Sequence, residues 1–246
     1  MTFRNEPVSG GEAIVNSFAT LFKSSFQSDF GDQLGDVNSD SVNNINFGSI
    51  REEKVYSKLK NLKPQFTAGA DLIPAFLVKD AASVLYTPLT FLFNLAIHSQ
   101  TFPECWKTSK IIPLFKKGDK TAVENYRPIA ILNNFAKVFE QIIFDIIYYQ
   151  IKNIIVDNQH GFIQRRSTIT NLMTITHYIA VNLDEGFQTD VIYTDFSKAF
   201  DSLNHRILLR KLSEFGFSNS VCKFFQNYLA RRNYFVENAA TDRLTL

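Results

Sequence analysis

At 246 residues, the chain is long enough for one large domain or two small ones. A hydrophobic content of 45% with 20% charged residues excludes a disordered chain, and 24 Phe residues supply material for a sizeable core. The net charge is only +2, but residues 1–53 hold Arg4, Lys23 and Arg51 against eight acids (Glu6, Glu12, Asp29, Asp32, Asp36, Asp40, Glu52 and Glu53), a net of −5, which leaves +7 for the remainder.

The first residues, MTFRNEPVSGG, lack the apolar core of a signal peptide. GEAIVNSFATLFKSSFQ (11–27) places Ile14, Phe18, Leu21, Phe22 and Phe26 at helical spacing. The Gly-, Asn-, Asp- and Ser-rich stretch 30–48 reads as a linker. Ser49 with Glu52 forms a capping-box pattern for a short helix through Leu62, and a boundary is expected near residue 60. LKPQFTAGADLIP (62–74) is a loop, and a helical stretch follows over 75–99, with Pro88 and Pro103 as edges or kinks.

KIIPLF (110–115) and YRPIAIL (126–132) read as strands joined by the polar loop KKGDKTAVEN. They predict a hairpin with a basic tip. It lies within the sharpest basic segment, where Lys107, Lys110, Lys116, Lys117, Lys120, Arg127 and Lys137 face only Asp119 and Glu124. Such a segment suits a polyanion partner, or equally a solvated face. Residues 133–151 form a helix with a wide apolar face. Its run VFEQIIFDIIYYQI (138–151) is interrupted by Glu140 and Asp145, and at 14 residues falls short of the ~20 that a membrane span needs.

Residues 167–186 form another helix, with Ser167 as N-cap and Gly186 as its stop. VIYTDF (191–196) reads as a strand. HRILLRKLSEFG (205–216) is an amphipathic helix behind Asn204, and residues 218–232 are one more. NYFVEN (233–238) looks like the start of a strand whose partner would come later. Cys105 and Cys222 fit neither a disulfide framework nor a zinc site, which favours a reducing compartment.

Asp195, at the end of the 191–196 strand, is the residue best placed for chemistry. A carboxylate there, beside a backbone carbonyl that points the same way, suits a hard cation such as Mg²⁺. Alone, an Asp at a strand end is more often a turn or cap residue. Asp201 reads as structural. His160 and His205 read as capping or hydrogen-bonding residues, because no Cys or second His lies at ligand spacing.

The segment YTDFSKAFDSLNHRILLRKL (193–212) resembles the first catalytic motif of reverse transcriptases, specifically those of non-LTR retrotransposons of the jockey-like, LINE type. Residues 102–143 resemble that family's fingers hairpin and following helix, NQHGFIQRRSTITNL (158–172) its next block, and 69–74 with 87–103 the segment upstream. The resemblance runs from about residue 60 to Leu246, and only loosely covers 11–30. It implies an α+β fold: helix-rich right-hand polymerase fingers with a β-hairpin, plus an incomplete palm. The division it suggests is an N-terminal helical extension and linker over 1–60, fingers over 61–186, and partial palm over 187–246.

By resemblance the activity is RNA-directed DNA polymerisation: nucleotidyl transfer with two Mg²⁺ ions, an RNA template, a DNA primer and deoxynucleoside triphosphates. Asp195 would be the catalytic metal ligand, with the backbone carbonyl of Phe196. Lys117 (or Lys116, with a one-residue shift) and Arg127 would grip the triphosphate, the planar guanidinium matching phosphate oxygens. Phe200 falls on the steric-gate position that selects deoxynucleotides; its alternative is an ordinary core Phe. Gly161, Arg165 and Arg166 would grip the template, although Ile163 stands where the family commonly has a basic residue. The compartment implied is intracellular, nucleus or cytoplasm, with no membrane partner.

The family's second metal motif, a hairpin with paired aspartates, has no match here. The acids after Asp201 are Glu214, Glu237 and Asp242. The expectation is therefore a truncated polymerase that is inactive alone. The alternative is a catalytically dead remnant, acting at most as a nucleic-acid-binding or interaction protein through its basic hairpin.

Overall fold

A computed structural model describes residues 1–24, 43–196 and 199–237. These fall into two compact units, one of residues 1–147 with 198–246 and the other of residues 148–197. The expected linker over 30–48 lies mostly outside the described residues, as does Phe26.

The first unit opens with a minimal hairpin, β1 (Thr2–Phe3) and β2 (Glu6–Pro7). Arg4 and Asn5 at its turn both have positive φ, 52° and 69°. That pairing gives a two-residue turn whose twist suits antiparallel strands. Helix α1 (Gly11–Lys23) follows where the helical spacing predicts it. Helix α2 (Glu52–Lys60) begins without the expected capping box. Its N-cap is Arg51 rather than Ser49, and no side chain caps it. A tertiary contact fixes its entry instead: the Ile50 amide donates to Asn94 Oδ1 (2.8 Å), and Asn94 Nδ2 donates to the Ile50 carbonyl (2.9 Å).

The helical stretch 75–99 is two helices, α3 (Ala75–Asp80) and α4 (Ala82–His98), broken at Ala81. Pro88 sits inside α4 rather than at an edge. Strands β3 (Thr108–Phe115) and β4 (Tyr126–Ile131) form the expected hairpin, with Leu114 opposite Arg127 and Phe115 opposite Tyr126. Helix α5 (Asn134–Ile151) leaves it.

Helices α7 (His205–Glu214) and α8 (Asn219–Leu229) are N-capped by Asn204 and Ser218. Gly216, at φ 99°, closes α7 in the left-handed region that favours glycine. The chain then reaches β5 (Asn233–Val236), described above as waiting for a later partner. Its partner is earlier: β5 pairs in parallel with β3, giving a three-stranded sheet in the order β4-β3-β5. Parallel strands need a long crossover, so local sequence does not announce the pairing.

Two apolar clusters hold this unit. The larger packs α2, α4, α5 and α8 around Phe93, Phe102, Phe139 and Phe224, all at most 1% exposed. Phe93 and Phe139 stack at 4.6 Å between centroids. Burying each such ring contributes ~1.5–3 kcal/mol. The smaller cluster joins Val15, Phe18 and Phe22 of α1 to Ile111, Val123 and Val236 on one side of the sheet. Residues 1–60 thus enter both clusters, since Ile50, Val55 and Leu59 belong to the larger one.

The 69–74 loop is locked to the start of α5. A Cβ on Gly69 would lie 2.6 Å from the Asn133 backbone nitrogen, so only glycine fits. Asn134 Nδ2 donates to the Ile73 carbonyl (2.7 Å), and Asn133 Nδ2 to that of Cys105 (3.1 Å).

In the second unit, helix α6 (Thr168–Asp184) carries a full capping box at Ser167 and Thr170. Gly186, at φ 80°, ends it, with the Phe187 amide donating to the Asn182 carbonyl (2.8 Å). No residue of α6 is buried. The expected strand 191–196 is not a strand: its residues are exposed and carry no ladder among the described residues. A strand exists only where a partner takes up its backbone groups, and no such pairing is made there.

Candidate functional site

The β3–β4 hairpin has two unlike faces. Directly opposed residues share a face, and successive residues alternate. Ile111, Tyr126 and Val123 lie against α1 in the smaller cluster. The other face carries Arg127 beside Leu114, and Ile129 beside Ile112. Leu114 is 52% and Ile129 41% exposed, and Arg127 is exposed with them. None of the ion pairs among the described residues involves Arg127. A guanidinium on an open, partly apolar face keeps its fork of donors available to a planar or phosphate-bearing ligand.

The tip loop is ordered by its own bonds. The Lys116 amide donates to the Asn125 carbonyl (2.8 Å), and Asn125 Nδ2 to that of Asp119 (2.9 Å). Gly118 has φ 93°, a turn conformation that a side chain resists. The Thr121 backbone amide, donating to Asp119 Oδ1 at 2.8 Å, holds the Asp119 carboxyl below its ordinary range. The Tyr126 hydroxyl donates to the Lys120 carbonyl (2.9 Å). Lys116 and Lys117 are both exposed on this loop, so either can meet an anion.

The basic segment is smaller at the surface than its sequence suggests. Lys107 is 1% exposed, its ammonium 2.8 Å from Glu104 Oε1. Lys110 is paired with Glu237 at 2.8 Å. Lys116, Lys117, Lys120, Arg127 and Lys137 remain at the surface.

In the second unit, Arg166 acts on its own loop. Its guanidinium donates to the carbonyls of Asp157 and Gln159 (2.6 Å for the latter), and it pairs with the Asp157 carboxylate at 3.2 Å. It therefore staples residues 157–166 into one turn. Arg165 is exposed, with φ 66°. Gly161 has open space, a Cβ there meeting only Gln159 Nε2 at 3.6 Å. His160 lies 3.1 Å from the Asn158 carbonyl, a local hydrogen bond of the kind expected.

Asp195 and Phe196 are exposed on the irregular segment 191–196. Phe200 is 77% exposed, so it is not a core Phe, and Asp201 sits in a turn ahead of α7. The neighbours Ser197 and Lys198 lie outside the described residues. Among the described residues, no group of three or more His, Cys, Asp or Glu side chains could hold a metal ion. One carboxylate with one carbonyl does not make a two-ion site. The described residues by themselves therefore do not fit the pair of Mg²⁺ ions that the resemblance implies.

A polar network missed in the sequence crosses from α5 to α8. Tyr228 donates its hydroxyl to Glu140 Oε1 (3.0 Å), and Arg232 lies 3.5 Å from the same oxygen and over the Tyr228 ring. Burial pushes the Glu140 carboxyl up, against the Tyr228 hydrogen bond and the Arg232 charge. Burial, with the Glu140 charge, pushes Tyr228 up to about 12. The second acid of that helix, Asp145, is met by Lys58 at 2.7 Å. No helix among the described residues is long and apolar enough to cross a membrane.

Comparison with known proteins adds the family. Residues 115–245 match the model of the family described as "Reverse transcriptase (RNA-dependent DNA polymerase)". The chain is 27% identical over 192 residues to a probable RNA-directed DNA polymerase from transposon BS of Drosophila melanogaster, covering 76% of this chain and 21% of that protein. It is 23% identical over 191 residues to the RNA-directed DNA polymerase from mobile element jockey of the same organism, again 76% of this chain and 21% of that protein. A Pol polyprotein from type-1 retrotransposable element R1 of Bradysia coprophila is 25% identical over 190 residues, 76% of this chain and 19% of that protein. The chain thus spans about a fifth of the length of these curated relatives. With the family match running over more than half of its residues, from the tip of the hairpin through β4 and the Asp195 segment, the chain belongs to the reverse transcriptase (RNA-dependent DNA polymerase) family.

Proposed function

We propose that the chain supplies the fingers, and the beginning of the palm, of an RNA-directed DNA polymerase from a jockey-like non-LTR retrotransposon. The observation that carries this reading is the hairpin, with Arg127 exposed on its open face and Lys116 and Lys117 at its tip. Arg127 is the bidentate partner of the incoming triphosphate, and Lys117 or Lys116 adds a point charge to the same phosphates. Phe200 is the sugar gate. Arg165 meets template phosphate, a contact that needs charge rather than base readout. Gly161 leaves space for the template strand, and Arg166 shapes the loop that presents them.

Asp195, with the Phe196 carbonyl, is the chain's contribution to metal binding, and Mg²⁺ would there stabilise charge on the transferring phosphates. Metal donors among the described residues are too few for two ions, so these residues by themselves are assigned binding of nucleotide and nucleic acid without catalysis. RNA, DNA primer and deoxynucleoside triphosphates are the partners of this reading.

The test has two arms. Purified protein with Mg²⁺, RNA template, DNA primer and all four deoxynucleotides should give no extension; extension that disappears in Asp195→Ala would overturn the inactive assignment. Binding of a deoxynucleoside triphosphate should weaken in Arg127→Ala; equal binding by both proteins would remove Arg127 from the nucleotide site. The exposed tip lysines favour a second reading, a binding module alone. It predicts salt-dependent RNA binding that drops when Lys116, Lys117 and Lys120 are neutralised, with no Arg127-dependent triphosphate binding.

A further inference from the structure

We propose that residues 1–24 are a brace for the nucleotide-facing hairpin, and that Phe18 is a positioning residue for Arg127. The proposal rests on the assignment of Arg127 to the triphosphate. Phe18 is 3% exposed, and its ring meets the edge of Tyr126 at 5.1 Å and 74°. Tyr126 and Arg127 are successive strand residues, so they project from opposite faces. Whatever holds the Tyr126 ring from behind therefore sets where Arg127 emerges in front. The Tyr126 hydroxyl, through the Lys120 carbonyl, also ties the lysine-bearing tip to the same ring.

Two further contacts reach this hairpin, and a third reaches β5. The Thr2 amide donates to the Thr121 carbonyl (2.7 Å), and the Arg4 amide to Glu124 Oε1 (2.7 Å). On the far edge of the sheet, the Tyr234 hydroxyl reaches the Ala19 carbonyl at 3.5 Å. The N-terminal segment thus grips the tip loop, the β4 strand and the β5 strand together, from the side away from Arg127. A segment that merely connected to an upstream region would have no need to bury Val15, Phe18 and Phe22 here. Backbone positioned in this way costs the triphosphate less ordering on binding, which is how a remote contact raises affinity.

The experiment uses the 246-residue protein with Phe18→Ala, Phe18→Leu and Arg127→Ala. It combines amide hydrogen exchange with calorimetric titration of deoxyadenosine triphosphate. Phe18→Ala should speed exchange at the amides of 111–115 and 126–131 by about tenfold, leaving the α4 and α5 amides unchanged. It should also weaken triphosphate binding in the direction of Arg127→Ala, with Phe18→Leu recovering part of both effects. Arg127→Ala should weaken binding without changing hairpin exchange. If Phe18→Ala alters exchange only within residues 1–24, the brace is overturned; if it loosens the hairpin without changing triphosphate affinity, the positioning role is overturned. Should the unaltered protein bind no triphosphate, the Arg127 assignment and the positioning role resting on it both fall. Exchange then still tells whether α1 holds the hairpin. Should Phe18→Ala unfold the whole chain, Phe18→Leu decides by the same criteria.

Discussion

Helices α5 and α6 are of similar length and read almost alike in sequence, yet they lead opposite lives. Helix α5 buries Val138, Phe139 and Ile142 completely. Helix α6 buries nothing, leaving Ile169, Leu172 and Met173 at 62–69% exposure. Local signals favour the second: α6 has a full capping box and a glycine stop. The difference lies in partners. Around α5, the helices α2, α4 and α8 bring their own apolar side chains to the interface; among the described residues of 148–197, no element comes to cover α6. Capping decides that a helix forms, and tertiary contact decides what it is worth to the fold.

Substitution in the two helices puts that contrast to the sharpest test. Phe139→Ala should cost ~3–5 kcal/mol in denaturant unfolding, because it empties the centre of the stacked rings. Leu172→Ala on α6 should change stability by less than ~0.5 kcal/mol, as expected at an exposed position. Equal costs would mean that α6 is packed in solution. Gly69→Ala should cost ~1–3 kcal/mol, by forcing the loop off the start of α5. A neutral result would show that the loop and α5 are not locked together.

Ser167→Ala should cost ~1 kcal/mol, felt by α6 alone. Loss of helical signal without a shift of the main unfolding transition would separate the two units experimentally. A smaller effect concerns pH. The folded-state pKa of Glu140 is raised above its ordinary 4.5. Its contribution to stability is therefore fully present below pH 4.5 and is lost as pH rises through the higher folded value. Tyr228 behaves alike further up, its contribution present below pH 10 and lost as pH climbs through about 12. Unfolding measured against pH should lose the first dependence in Glu140→Gln and the second in Tyr228→Phe. An unchanged profile in either variant would mean that the α5–α8 network does not form as described.

Much of the candidate site was legible because its signals are short-range. KIIPLF, YRPIAIL and the Gly-containing loop between them specify a hairpin, since alternation and turn chemistry act within a few residues. The family resemblance placed Arg127 and Lys117 on that hairpin, which the structure leaves open on the Arg127 side. The burial of Lys107 and the pairing of Lys110 with Glu237 were not legible, because charge counted along the sequence does not say which side chains reach water. Nor was the state of 191–196, whose apolar alternation has the pattern of a strand without the partner that would make it one.

The sequence by itself determined the start of α6 at Ser167 and its stop at Gly186, the start of α7 behind Asn204, where the hairpin turns, and which family's motifs the chain carries. These depend on propensity, capping and spacing, which act between near neighbours. Tertiary structure alone decided that β5 joins β3, that α1 backs the sheet behind Arg127, and that α5 is core while α6 is surface. Each of those outcomes pairs residues far apart in the chain, and burial is a property of the pair.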